Sequence, residues 1–597
     1  MSELRRVGRL LYDAMRRDDP RKAAIAVALD VLAGTAGFVL TGLWLKLMVD
    51  GAAAGDQRTV VLAGVALAGS VGLSGAVTVW SGTLFQDLHE SSALVLMQDV
   101  MRYSSDVPGI EHHERPEYAD RVALLRSSSR VLTNFVATCG RSISLAARIC
   151  VTAVLLASVH PLLLALPLLA LPSVWTGGRA NRIVEAATEA TAERVRQQDH
   201  LFDLATSPSP AKELRIFALS EEVIRRQSKL WVDVTEVMAG AKLRAGFVRS
   251  LGWLTFAAGY VGSIVFAVAE ASAGAATPGD VLLVVALASD VGGQVAKAVA
   301  LASESAGIHR AAQRLLWLRD YSTAARQPVG DPAPVPHALC RQIEFAGVSF
   351  RYPGTDAEVL SEVDVRIPAG SVVAVVGENG AGKSTLVKLL TRCYDPSTGR
   401  ILVDGVDLRR LDVDEWRRRL SAGFQDYARF QFLLRESVGI GDLDRIDNAS
   451  AVELALARSQ AADLAPGLPH GVETQLGTMF EGGAELSEGQ WQKVAIARSL
   501  MADAPLLLIL DEPTSGLDAT AEHALFERYA AAAAEAAASV GTVTVLISHR
   551  FSTVRLADLI VVIDKSRIVA TGTHDELMAG CKLYAELYAI SARGYRQ

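Results

Sequence analysis

A chain of 597 residues is too long to close around one hydrophobic core, so at least two domains are expected. Half of its residues are hydrophobic and its mean hydropathy is +0.26, with the apolar stretches concentrated before residue 305, as in a membrane half followed by a soluble half. A net charge of -7 and a pI near 5.9 argue against nucleic acid as the main partner, and the five scattered cysteines, without metal spacing, read as buried or inert thiols in a reducing compartment.

The first 22 residues are basic and amphipathic, and no small-residue cleavage site follows, so a removed signal peptide is not expected. Six stretches are then long and apolar enough to span a bilayer, roughly 23–49, 59–86, 132–158, 161–178, 246–269 and 279–300. Arg5, Arg6, Arg9, Arg16, Arg17, Arg21 and Lys22 precede the first and place that end in the cytoplasm. The connections 51–58, 159–160 and 270–278 are short and carry only Arg58, so they are the outer loops. The two inner connections are long and charged, with helical pattern, and are expected to be helices that continue the spans beyond the lipid. Arg148 and Asp290 fall near mid-membrane, where an ionisable side chain is costly. They are candidates to face a central cavity, pairing with each other or meeting a polar part of a cargo.

A helix over 303–321 gives way to a proline-rich run, 327–336, which cannot continue it and marks the boundary. This divides the chain into a membrane domain, 1–325, a linker, 326–340, and a second domain, 341–597. There the pattern becomes α/β, with short β-rich runs at 343–350, 371–376, 505–510, 542–547 and 558–563. Several are apolar throughout, as strands buried on both faces are. The run 371–376 delivers the chain to Gly377-Glu378-Asn379-Gly380-Ala381-Gly382-Lys383-Ser384, followed by Thr385 and a helix-forming run to about Leu390. Such a strand, glycine loop and helix form a phosphate cradle. Backbone N–H groups converge on the anion where any Cβ would crowd it, and the helix N-terminus adds partial positive charge. Lys383 can reach the β- and γ-phosphates, and Ser384 can ligate Mg²⁺. The apolar run 506–510 ends in Asp511 and Glu512, one suited to hold the metal and the other to polarise an attacking water.

Taken with that loop, Leu486-Ser487-Glu488-Gly489-Gln490 resembles the signature sequence of ABC ATPases, and Ser515-Gly516-Leu517-Asp518 resembles their D-loop. Gln425 resembles the Q-loop glutamine, His549 the switch histidine, Glu481 the X-loop acid and Tyr352 the aromatic that stacks on adenine. Six spans fused ahead of such a domain are similar to a bacterial ABC exporter half-transporter, and the resemblance covers essentially the whole chain. It implies a multidomain membrane protein, with a six-helix all-α transmembrane domain and an α/β P-loop ATPase domain. It implies ATP and Mg²⁺ as cofactors, with Ser487, Gly489 and Gln490 meeting the nucleotide held by a partner subunit, Gln425 sensing the metal and His549 the γ-phosphate. The chain has one of each motif, so two copies or two related chains complete the ATP sites; with Glu512 and His549 both present, a homodimer is expected.

The signature departs from the family at Glu488, where glycine is usual, and that carboxylate is expected to point away from the phosphate. No peptidase segment precedes the first span, which disfavours a leader-cleaving peptide exporter. The expected activity is ATP-driven export of an amphipathic or hydrophobic peptide, lipid or drug-like molecule. Alternatives are an exporter-fold importer of a metal chelate, a soluble-type ABC ATPase and a membrane regulator that binds ATP without transport.

Overall fold

A computed structural model describes the chain apart from residues 1, 18, 209, 327–329, 512–533, 549–550 and 595–597. It divides into two compact units, one made of Met1–Tyr103 and Ala123–Arg319, the other of Ser104–Val122 and Asp320–Gln597. The boundary thus falls slightly before the proline-rich run, and a short excursion out of the membrane half, 104–122, belongs to the second unit.

The first unit is helical. In chain order come α1 (Ser2–Arg17), α2 (Pro20–Ala53), α3 (Gln57–Ser105), α4 (Glu111–Glu114), α5 (Pro116–Thr133) and α6 (Phe135–Val159), of which α4 and the start of α5 lie in the excursion that belongs to the second unit. Then follow α7 (Ala165–Leu169), α8 (Leu171–Thr206), α9 (Ala211–Ile216), α10 (Ser220–Ser272) and α11 (Pro278–Ala325). Asp19 starts α2 cleanly: its carboxylate accepts from the Arg21 and Lys22 N–H groups, and Pro20 occupies the first turn, where its missing N–H costs nothing. Among the described residues six stretches are long and apolar enough to cross a membrane; five contain an expected span whole, and the third, Phe135–Val159, starts three residues after the expected 132–158. The 49 residues of α3 rise roughly 74 Å, more than twice a hydrocarbon core, so the charged segments beyond the apolar runs are largely continuations of the same helices. The fourth span departs from a plain helix. Pro161, Pro167 and Pro172 break its start into the turn Pro161–Leu164, then α7, then α8.

Close packing inside this unit depends on small residues. A Cβ on Gly252 of α10 would fall 2.0 Å from Thr176 Oγ1 and 2.7 Å from Ser173 Cα of α8, so only glycine lets the two backbones approach. Leu156 of α6, Leu166 of α7, Phe256 of α10 and Leu283 and Leu287 of α11 share one buried core. Val61, Val65, Trp80, Val154, Leu168 and Leu254 remain exposed, an apolar surface suited to lipid.

The second unit is built on two sheets. Strands β1 (Gln342–Arg351), β2 (Glu358–Pro368), β4 (Thr398–Val403) and β5 (Val406–Asp407) form an antiparallel sheet ordered β2-β1-β4-β5. The other sheet is ordered β10-β9-β3-β8-β7-β6, from β3 (Val372–Gly377), β6 (Leu420–Gly423), β7 (Leu507–Asp511), β8 (Val543–Ile547), β9 (Leu559–Asp564) and β10 (Arg567–Gly572). All but β10 run parallel in it, and β7 and β8 are buried along their whole length, which is why those runs read as apolar throughout. The helix α12 (Lys383–Leu390) follows β3, and Trp416 of α13 (Val413–Arg418) is fully buried with its Nε1–H on the Leu390 carbonyl at 3.1 Å. A smaller core of Leu434, Val452, Leu456, Trp491 and Val494 joins α14 (Leu434–Gly439), α15 (Ala449–Arg458) and α16 (Glu488–Ser499).

Two connections are tied down more firmly than their composition suggests. The described part of the linker bridges strand-like from Ala333 to Leu411 and buries Val335 and Leu339, so it is an anchored strap. In the excursion, Ile110 N–H donates to the Cys393 carbonyl at 3.0 Å, Arg417 donates to the Pro108 carbonyl and Arg326 to that of Asp106. His112 is 2 % exposed there, its ring edge-on to Tyr118 at 4.6 Å.

Candidate functional site

The glycine loop turns between the end of β3 and the start of α12, and its geometry explains its composition. Gly377, Gly380 and Gly382 have φ of +158°, +80° and +107°. A Cβ on Gly377 would meet the Ile563 carbonyl oxygen at 2.3 Å, and one on Gly382 would lie 2.7 Å from Leu360 Cδ2 and 2.8 Å from the Val359 oxygen. Lys383 is 7 % exposed and folds back over the loop, its Nζ donating to the Gly377 and Glu378 carbonyls at 2.9 Å each. Ser384 is exposed in the first turn of α12, whereas Thr385 is buried and shares a 3.0 Å hydrogen bond with the Tyr352 hydroxyl. The Tyr352 ring stands edge-on to Phe350 and Tyr394, with Lys388 Nζ 5.3 Å from its centre. Asn379 and Ala381 complete the loop.

Strand register brings the acid to the same edge. Val375 of β3 pairs with Ile547 of β8, which pairs with Asp511 of β7, so Asp511 and the glycine loop both lie at the carboxyl ends of parallel strands. Asp511 is 7 % exposed. Glu512 and His549 lie outside the described residues, as do Ser515, Gly516, Leu517 and Asp518, although Glu512 directly follows β7 and His549 comes two residues after β8. Gln425 is exposed just beyond β6, where Gly423, Phe424, Gln425, Tyr427 and Gln492 border one small hollow.

The signature segment opens α16. Ser487 caps it, Oγ accepting from the Gln490 N–H while Gln490 Oε1 accepts from the Ser487 N–H, and Gly489 sits in the first turn between them. Glu481 is exposed on the loop before. The Glu488 carboxylate is held by Arg429 and by the Tyr427 hydroxyl at 3.0 Å, two residues that motif reading passed over. Their only advance signal was a position just past Gln425. At the other end of the helix, burial pulls Arg498 down to about 10; its guanidinium lies 4.6 Å from the Phe430 ring and donates to the Ser437 and Ala428 carbonyls.

In the membrane unit, Arg148 of α6 and Asp290 of α11 meet in a buried bidentate pair, Arg148 Nε to Asp290 Oδ2 at 2.8 Å with a second contact to Oδ1. Gln294 donates to the same Oδ2 at 2.7 Å and to Thr152 Oγ1 at 2.9 Å. Lys46 of α2 pairs with Asp280 of α11.

A loop of this form, with Asp511 on the same sheet edge, is a site for the phosphates of a nucleotide. Joined in one chain to six membrane-length helical stretches among the described residues, it defines a multi-pass membrane protein with an ATPase domain. The family model for ABC transporters matches residues 360–515. The subtilin transport ATP-binding protein SpaT of Bacillus subtilis is 36% identical over 266 residues, 45% of this chain and 41% of that protein. The ATP-dependent lipid A-core flippase of Xylella fastidiosa is 31% identical over 440 residues, 72% of this chain and 70% of its own. The flippase of Cupriavidus pinatubonensis is 43% identical, but over 41% of this chain and 40% of its own length. Several of these curated relatives are thus matched over about two fifths of their length. A bacterial Atm1-family ABC exporter solved with ATP bound has the same fold, with a TM-score of 0.75 at 24% identity over 97% of this chain and 98% of that one. The chain belongs to the ABC transporter family.

Proposed function

We propose that two copies of this chain form an ATP-driven exporter in a bacterial cytoplasmic membrane, with the nucleotide units and both termini in the cytoplasm. The cargo is an amphipathic or hydrophobic peptide, lipid or drug-like molecule. The observation that carries this reading is that each chain has one phosphate loop and one signature helix, while the membrane unit supplies six spans. Two complete ATP sites and twelve spans then require a pair. The names of two relatives, a subtilin transport ATP-binding protein and a lipid A-core flippase, support a peptide or lipid cargo.

In this reading the triphosphate lies on the N–H groups of 377–384, in a cradle where the positions of Gly377 and Gly382 leave no room for a side chain. Lys383 leaves the Gly377 and Glu378 carbonyls for the phosphates, and the Tyr352 ring meets the adenine. Ser384, Gln425 and Asp511 would supply the oxygen donors for Mg²⁺, an all-oxygen set of the kind that ion prefers. The ion, when bound, neutralises charge on the β- and γ-phosphates. Glu512 polarises the attacking water and His549 donates to the γ-phosphate. The Ser487 hydroxyl and the N–H groups at Gly489 and Gln490 meet the nucleotide of the other copy, so ATP draws the two nucleotide units together and hydrolysis releases them. Arg148 and Asp290 satisfy each other; we read them as fastening α6 to α11, with cargo recognised elsewhere.

The test is purified chain in lipid nanodiscs. ATP turnover is expected, and Glu512→Gln should retain nucleotide in a closed dimer while losing turnover. Accumulation of cargo in inside-out but not right-side-out vesicles supports export. Uptake of the opposite sense, or a chain that neither turns over nor occludes ATP, refutes the proposal.

A further inference from the structure

The glutamate in the signature helix raises a physical difficulty that neighbouring residues resolve. A carboxylate in the first turn of α16 is favourable for the isolated unit, because it complements the positive end of the helix dipole. It becomes unfavourable if that same helix end is offered to the triphosphate of a second copy, where two negative groups approach in a partly dehydrated gap. The described structure shows the charge already countered: Arg429 contacts Glu488 Oε2, and the Tyr427 hydroxyl donates to Oε1 at 3.0 Å and to the Glu488 carbonyl at 3.2 Å. Both partners lie in the segment that follows Gln425. That segment is clipped to α16 a second time, since Arg498 near the far end of the helix donates to the Ala428 carbonyl and covers the Phe430 ring.

We propose that Arg429 is a positioning residue for nucleotide-driven closure: it holds and neutralises the Glu488 carboxylate, so that a signature helix bearing an acid can accept the partner's ATP. The inference rests on the two-copy reading above. It follows that Tyr427 and Arg429 make the stretch after Gln425 and the start of α16 move together, so a change at Gln425 reaches the signature through a charged contact as well as through the chain. The exposed pair contributes little to folding of the separate unit, because water screens it. Its effect appears when closure removes that water. Hydrogen bonding to Arg429 and then to Tyr427 holds the Glu488 carboxyl below the usual carboxylate range, so the acid stays ionised at neutral pH and needs its counter-charge there.

The experiment is a double-variant cycle on the full-length chain in nanodiscs, reading ATP-dependent closure by fluorescence transfer between labelled C-terminal units and turnover by phosphate release. Arg429→Ala should raise the ATP concentration needed for half-maximal closure, and KM with it, by about tenfold, with kcat at saturating ATP close to wild type. Arg429→Lys, which keeps the charge, should recover most of that loss. In a Glu488→Gln background, and equally in Glu488→Gly, adding Arg429→Ala should cost no more than about twofold. Equal penalties in the glutamate and glutamine backgrounds, or no penalty in either, overturn the inference, and wild-type closure in the same assay shows that the two-copy reading has survived. Wild-type chain that neither closes nor turns over ATP overturns both. Glu488→Gln keeps the helix-forming side chain, so the cycle remains readable if the glycine variant folds poorly.

Discussion

Removing one member of the buried pair in the membrane unit gives the sharpest test of how that unit is held together. Asp290→Leu deletes a carboxylate that accepts two bonds from Arg148 and one from Gln294, and leaves a guanidinium whose side chain is 9% exposed without its counter-charge. Breaking a buried pair from one side costs about 3–5 kcal/mol, most of it the penalty of the charge left behind. At about 2.1 cal/mol/K per residue, a unit of about 300 residues moves its Tm by roughly 1.6 °C per kcal/mol, so thermal unfolding in nanodiscs should shift down by roughly 5–8 °C. The double variant Arg148→Met with Asp290→Leu removes both charges and keeps apolar volume, and should return to within a few degrees of wild type. A single variant as stable as wild type, or a double variant no better than the single, refutes a fastening role. If the double variant is stable yet loses stimulation of ATPase by cargo, the pair touches cargo after all.

Three further outcomes follow from the second unit. Lys383→Ala should lower ATP turnover by about 100-fold or more, measured by phosphate release on a variant whose circular dichroism matches wild type. Gly382→Ala places a Cβ 2.7 Å from Leu360 and forces alanine to φ +107°, so it should cost about 1–3 kcal/mol and abolish nucleotide binding. Gly380→Ala, at φ +80° but facing open space, should cost only the local backbone strain, and equal losses at the two positions would disprove the crowding argument. Burial, then the neighbouring His113, pulls His112 down from 6.5 to about 4, so the folded unit binds fewer protons there than the unfolded chain does. Its contribution is complete above pH 6.5 and is lost as pH falls toward 4, by at most about 3 kcal/mol. His112→Phe should flatten the acid side of the unfolding-versus-pH curve; an unchanged slope between pH 6.5 and 4.5 would show that the ring is solvated.

Local sequence determined a great deal of this protein because its strongest signals are short in range. Apolar runs long enough to cross a bilayer, a glycine-rich loop after a strand, and an apolar strand ending in acids are each short local patterns. The strands β2, β4, β5, β6 and β10 were not legible, being half-exposed, very short or edge elements without an unbroken apolar run. Motif spacing named Asp511 and Lys383, but only register across β3, β8 and β7 set the acid and the loop on one edge. The assignment of 104–122 to the second unit, and the seating of Ile110 on Cys393, depend on contacts between residues far apart in the chain. Arg148 and Asp290 could be placed at one depth from sequence, yet helix rotation decided that they face each other. Glu488 stood out as an unexpected charge, whereas the counter-charge on Arg429 had no signal of its own, since a surface arginine near a glutamine is ordinary until folding brings it to a helix end 59 residues away.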